Sequence, residues 1–182
     1  MQPIKQLTII LANVADEDHY LFSFQDLSAA IPGQSSTAFK ALIGRAVKSG
    51  LLRRLCRGLF LYPQVNYPKG LILYHAAARL RADEFNYLSL ESVLSDEGVI
   101  SQIPMNWITL MSSGRSHVID CGEFGHIEFI HTKKSPDSVV SQIHYDPLCH
   151  LWRASVSLAL RDMELTRRNT DLINWEAAHE RI

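Results

Sequence analysis

Six cationic side chains and no carboxylate lie between Gln34 and Gly58: Lys40, Arg45, Lys48, Arg53, Arg54 and Arg57. The hydroxyls of Ser35, Ser36 and Thr37 open the same stretch. Guanidinium and ammonium groups pair with phosphate oxygens, and the same groups with hydroxyls can read base edges, so this set suits binding of a nucleic acid. In a chain of formal net charge −1 the local excess is a strong asymmetry. A solvated basic face on an ordinary helical domain is the plainer account of a charge run. The order of the elements carrying these charges is what favours DNA.

Other residues raise catalytic readings that fall short. Asp120 precedes Glu128-Phe129-Ile130, with Lys133 and Lys134 close behind. A Mg²⁺ nuclease places an acidic residue before a strand bearing Glu-x-Lys, two oxygens holding the metal and the lysine polarising the phosphate. Here the lysine position is Ile130, so a part of that chemistry is missing. Ser112, Ser113 and His117 lack an orienting third residue and a Gly-x-Ser-x-Gly elbow, and read as turn residues. His126 and His131 bracket a strand and, five residues apart, face opposite sides of it. Trp107, Trp152 and Trp175 read as core or packing residues, and the pair Arg167-Arg168 as facing water in preference to continuing a DNA contact. The sequence therefore nominates no catalytic residue, no metal ligand and no cofactor.

Ser23 to Tyr62 holds the elements that must position the cations. At about 100° per residue, Phe39, Leu42, Ile43, Ala46 and Val47 share one arc of a helix over Ser35–Ser49. Ser36, Thr37, Lys40, Ala41, Gly44, Arg45 and Lys48 share the other. Ser35 or Ser36 can cap its start, and Gly50 can end it with φ > 0. Gly44 inside it costs roughly 1 kcal/mol relative to Ala, for which close approach to a phosphate, contact with the preceding helix, or mere tolerance would each account. Leu51–Tyr62 reads as a hairpin, two β-prone runs around a Gly-containing turn with Arg54 and Arg57 at the tip. Upstream, Ser23 can cap a short helix over Phe24–Ala30, and Pro32-Gly33 makes the turn between the two helices. Ile4–Val14 reads as a further helix with Leu7, Ile10, Leu11 and Val14 on one face. Short helix, turn, basic helix and arginine hairpin together spell a winged helix-turn-helix.

Beyond Tyr62 the character changes. Gln64–Gly70 reads as a linker and Leu71–Arg81 as a helix; Ser89 stands as N-cap before the stripe Leu90, Val93 and Leu94. Trp107–Met111, Ser116–Ile119 and Gly125–His131 have strand character, and Leu148–Leu165 and Leu172–Glu180 read as helices. Residues 1–63 hold seven Lys or Arg against four Asp or Glu, and residues 64–182 eleven against fifteen, so only the first part suits a polyanion. The expected fold is α+β: a winged helix-turn-helix DNA-binding domain over residues 1–66, then a small mixed α/β domain over residues 67–182 with an antiparallel sheet and C-terminal helices. At 47% hydrophobic and 20% charged residues the chain can bury a core. Cys56, Cys121 and Cys149 show neither CxxC spacing nor an even count, and no apolar run approaches the ~18 residues of a membrane span. These features point to a cytoplasmic protein.

Four blocks resemble the AbiEi antitoxin family of type IV toxin–antitoxin, or abortive infection, systems. They are the stretch ending RRLCRGLFLYP, the segment YLSLESVLSDEGVISQIP, and the strands WITLMSSGRS and FGHIEFIHTKK. The segments after Pro147 are similar only in character. The resemblance implies a transcriptional repressor and antitoxin without catalysis of its own. Its winged helix would bind inverted repeats in its own promoter, an arrangement that allows a dimer on DNA. Its C-terminal domain would counteract a separately encoded nucleotidyltransferase-like toxin without requiring a stable complex. The residues matching the DNA-binding element are the helix with Ser35, Ser36, Thr37, Lys40, Arg45 and Lys48, and the wing with Arg53, Arg54 and Arg57. Arg115, Lys133 and Lys134 are the cations that would form an antitoxin surface. Two other readings stay open: a winged-helix regulator of a mobile element whose C-terminal domain senses a ligand or dimerises, and a degenerate or active nuclease fused to a DNA-binding module.

Overall fold

A computed structural model describes residues 2–101 and 105–182. The chain is α+β and divides into two units, the first ending at Ile72 and the second running from Leu73 to Ile182. The sequence reading put that division at residue 66. Lys69–Leu71 forms one 3₁₀ turn after the Pro68 that closes the irregular stretch.

The first unit opens with α1 (Pro3–Val14), with Pro3 at N1, where no intrahelical N–H is needed. Leu7 and Leu11 are buried and Ile10 half-buried, but Val14 is 45% exposed. The expected four-residue face ends one turn early because the chain leaves the helix after Val14. α2 (Phe24–Ala30) starts with a reciprocal cap: the Ser23 hydroxyl accepts from the Asp26 N–H at 3.0 Å, and the Asp26 carboxylate accepts from the Ser23 N–H at 2.7 Å. α3 (Ser36–Lys48) starts on Ser35, whose hydroxyl accepts from the Ala38 N–H at 3.2 Å. Gly50, at φ 77°, ends it and donates to the Val47 carbonyl.

The strands β2 (Arg53–Cys56) and β3 (Leu59–Leu61) form the expected hairpin, with Gly58 at φ 80° in the turn and a register shift between Arg54 and Cys56. A third strand, β1 (Leu21–Ser23), pairs antiparallel with β3 and gives the order β1-β3-β2. β1 was not expected from the sequence. Its three residues are too few to show alternation, and the last of them is the α2 cap. Leu7, Leu27, Phe39, Leu42, Leu52 and Phe60 meet in one core, where full burial of each large apolar side chain is worth roughly 1.5–3 kcal/mol. The Phe24 and Phe39 rings meet edge to face at 4.8 Å, tying α2 to α3.

The second unit holds α4 (Ile72–Leu80), β4 (Asn86–Leu88), α5 (Leu90–Asp96), β5 (Trp107–Ser112), β6 (His117–Asp120), β7 (His126–His131), α6 (Pro136–Val139), β8 (Ile143–Asp146), β9 (Leu151–Ala154), α7 (Val156–Leu165) and α8 (Trp175–His179). Its six-stranded sheet runs β6-β7-β5-β4-β9-β8. The sheet is mixed rather than antiparallel, because β5 pairs with β7 and β4 with β9 in parallel. The expected helix Leu148–Leu165 also gives way. Its first part is β9, held between β4 and β8, and the helix begins only after Ser155, whose hydroxyl accepts from the Leu158 N–H. Cross-strand pairing outweighs local helix preference there. The last expected helix shortens to α8, capped by Asn174, because Ile173 instead bridges to Ile100. The final Gln-Ile-Pro of the YLSLESVLSDEGVISQIP block lies outside the described residues.

Candidate nucleic-acid interface

α3 buries Phe39, Leu42, Ile43 and Ala46 and turns the rest of its surface outward. Ser36, Thr37, Lys40, Ala41, Gly44, Arg45 and Lys48 are all exposed, as is the capping residue Ser35. Ser35 is thus partly committed, since its hydroxyl already holds the helix N-terminus. On the hairpin, Arg54 and Arg57 are exposed and Arg53 is half-buried. Arg54 Nε lies 3.5 Å from the Cys56 carbonyl. Among the described residues, Lys40, Arg45, Lys48, Arg54 and Arg57 face no carboxylate within ion-pair distance. Five solvated cations sit on a rigid helix and an adjoining hairpin, their charge uncompensated within the fold.

Residues 10–63 match the family model of the AbiEi antitoxin transcriptional regulators. The AbiEi match runs from within α1 through the end of β3, so it takes in α2, α3 and the whole hairpin. Among curated proteins, none matches this chain. The second unit lies wholly outside the AbiEi match, and its candidates rest on their own geometry.

There the structure separates residues that the sequence grouped. Arg115 and Lys133 are exposed, and the Arg115 carbonyl accepts from Arg81. Lys134 is different. Its ammonium lies 2.5 Å from the Asp162 carboxylate, with the lysine side chain 25% exposed and the aspartate 0%. Asp162 also accepts from the Ser89 hydroxyl at 2.7 Å and the Tyr87 hydroxyl at 3.0 Å. Burial, then the neighbouring Asp162 charge, pushes the Tyr87 phenol far above its ordinary value, so it stays a donor. Lys134 therefore neutralises a buried carboxylate and is not a free surface cation.

The nuclease-like set dissolves for a similar reason. Both Glu128 oxygens are taken: the Arg168 guanidinium binds them at 2.8 and 3.0 Å, and the Trp107 indole N–H donates at 3.1 Å. Burial alone would raise the Glu128 pKa, but the hydrogen bonds from Arg168 and Trp107 outweigh it and hold the carboxyl below 4.5. Arg168 also clasps Glu91 through Nε and Nη2. The expectation that Arg168 faces water fails, because two glutamates from α5 and β7 repay its desolvation. Arg167 is exposed. Asp120 is on the neighbouring strand, its carboxylate accepting from the Gly122 N–H. Among the described residues no three His, Cys, Asp or Glu side chains gather as a metal would need, and no helix is long and apolar enough to cross a membrane.

Ser112 is buried and hydrogen-bonded to Arg81, while His117 is exposed on β6. Ser113 accepts from the Phe85 N–H, as a turn residue does. His126 stacks on Trp107 with ring centroids 4.7 Å apart, and His131 bonds the Gly114 carbonyl. Trp152 and Trp175 are 42% and 47% exposed, so neither is a core residue, and Trp152 packs edge to face against Tyr145. The sequence reading missed the Asp162 network altogether. Its signal was an acid set between Ala159 and Met163 on the apolar face of α7.

Proposed function

We propose that the first unit is a winged helix-turn-helix that binds duplex DNA, with α3 as the recognition helix and the β2–β3 hairpin as the wing. The observation that carries this reading is the set of five exposed cations, on α3 and the hairpin, facing no carboxylate among the described residues. The AbiEi match over the same elements supports it. In this reading the protein represses its own operon through inverted repeats in the promoter, and it counteracts a nucleotidyltransferase-like toxin encoded beside it. Catalysis is no part of the role. Of the carboxylate pair that suggested it, Glu128 is held by Arg168 and Trp107. α3 would read base edges in the major groove, and the wing would grip phosphates.

The test is a gel shift of the full chain on its own upstream duplex against a scrambled duplex of equal length, at several salt concentrations. Preference for the upstream duplex, with affinity falling steeply in salt, is the expected result. Equal weak binding to both would remove the repressor reading. A promoter–reporter fusion and growth rescue on toxin expression then test the two regulatory roles separately.

A further inference from the structure

A glycine in the middle of a helix is costly, and Gly44 lies nine residues into α3, which runs from Ser36 to Lys48. Its backbone is ordinary helix, so no positive φ demands glycine there. A Cβ built at Gly44 meets nothing within 4 Å. Packing against the preceding helix is thereby excluded, and so is crowding by any described residue of this chain. Among the described residues, none stands where a side chain at this position would meet it.

Its direction does suggest a reason. At about 100° per residue, Gly44 points within about 30° of directly opposite the mean direction of Phe39, Leu42, Ile43 and Ala46, the residues that α3 buries. It lies beside the crest of the helix, as Ala41 does. Thr37, Lys40 and Lys48 lie within about 40° of the direction of Gly44 itself, the two lysines one turn before and one turn after it, and all three are exposed. A helix that enters a groove crest first would bring its backbone nearest the groove floor at Gly44, with a cation on either side.

Resting on the DNA-binding reading above, we infer that Gly44 is a specificity-determining position: the residue at which base edges of the major groove come against the α3 backbone. The missing side chain makes room for the bases and lets Lys40 and Lys48 reach past it. The ligand is duplex DNA, approached on its base-edge side rather than along its phosphates.

The test compares the full chain with Gly44→Ala and Gly44→Leu, measuring melting temperature and affinity for the protein's own upstream duplex and for a scrambled one. Alanine should raise the melting temperature by about 2–4 °C, because helix propensity improves where space is open. The same variant should bind the upstream duplex about tenfold more weakly, and leucine about a hundredfold, since added volume in a filled contact is resisted. Binding to the scrambled duplex should change less than threefold in both, so that the preference collapses. Unchanged affinity for the upstream duplex would overturn the inference while leaving DNA binding intact. An equal loss on both duplexes would also overturn it, by placing a phosphate at Gly44 instead of a base. A lower melting temperature for Gly44→Ala would refute the premise that the site is open. Failure of the unsubstituted protein to prefer its upstream duplex would remove the parent reading, and this one with it.

Discussion

Lys134 and Asp162 show how a residue's role is decided by what lies beneath it. In sequence Lys134 is half of a basic pair; in the fold it is the counter-ion of a carboxylate 0% exposed. Removing one partner of such a pair leaves a charge stranded in low dielectric. Lys134→Met should lower stability by about 3 kcal/mol, the low end of the range for buried pairs, since the lysine still touches water. Adding Asp162→Asn should restore part of the loss, because an amide oxygen can still accept from Ser89 and Tyr87. Urea unfolding of the single and double variants measures both, and a harmless Lys134→Met would show the pair to be incidental. The Arg168 clamp gives a pH dependence. Glu128 has its folded pKa held below 4.5, so its contribution is present above that value and lost as pH falls through the depressed folded pKa. Glu128→Gln should therefore cost stability at pH 7, and the gap from the unsubstituted protein should close as pH falls below 4.5 through the depressed folded pKa. Parallel thermal melts across that range would decide it, and a gap constant with pH would mean the carboxylate charge contributes nothing.

Among the elements, α3 and the hairpin would do different work on the duplex that the proposed function gives them. Arg57 stands in the hairpin turn and Arg54 on β2 opposite Phe60, where a wing would contact the phosphate backbone. Arg54→Ala with Arg57→Ala should weaken binding to every duplex alike and flatten the plot of log affinity against log salt by about one unit per lost phosphate contact. Lys40→Ala and Arg45→Ala should instead change which base pairs matter, each costing roughly 1–3 kcal/mol if a bidentate base contact goes. Selection of binding sites from a random pool separates the two, and an unaltered preferred site for both helix variants would reject α3 as the reader. These elements were legible in the sequence because their signals are local. The Ser23–Asp26 box and Ser35 mark helix starts, Phe39, Leu42, Ile43 and Ala46 keep helical period, and Gly50 and Gly58 sit where φ must be positive. β1, β4, β8 and β9 were not legible, being three or four residues long and defined by partners far along the chain. Leu151–Ala154 shows the failure most directly. It runs into an apolar helix and reads as its first turn, yet strands β4 and β8 on either side hold it extended. The Arg168 clamp was hidden for the same reason, joining Glu91, Glu128 and Arg168 across three elements.

Over the whole molecule, charge divides the chain as the units do. The basic excess belongs to residues 1–63, while residues 64–182 carry fifteen Asp or Glu against eleven Lys or Arg. Several of those eleven are committed internally, among them Arg81 to Ser112, Arg153 to Asp96 and Asp146, Lys134 to Asp162 and Arg168 to its two glutamates. A domain with several of its cations spent and a net negative balance is a poor second DNA-binding surface. What it still offers a partner near the sheet is Arg115 and Lys133, both exposed. If neutralisation of the toxin runs through this unit, these are the side chains that would meet an acidic protein surface or an RNA. Arg115→Ala with Lys133→Ala should then impair growth rescue on toxin expression, while affinity for the upstream duplex stays within about threefold at fixed salt. Lys134 has to be left in place, since its loss would lower stability and confound the comparison. Surface substitutions of this kind shift stability by about 0.5 kcal/mol or less, so an unchanged melting temperature certifies the variant. Full rescue by it would return both residues to the status of solvated charges. Loss of rescue together with loss of DNA binding, in a variant that melts normally, would mean that the two activities share one surface and that the charge division does not separate them.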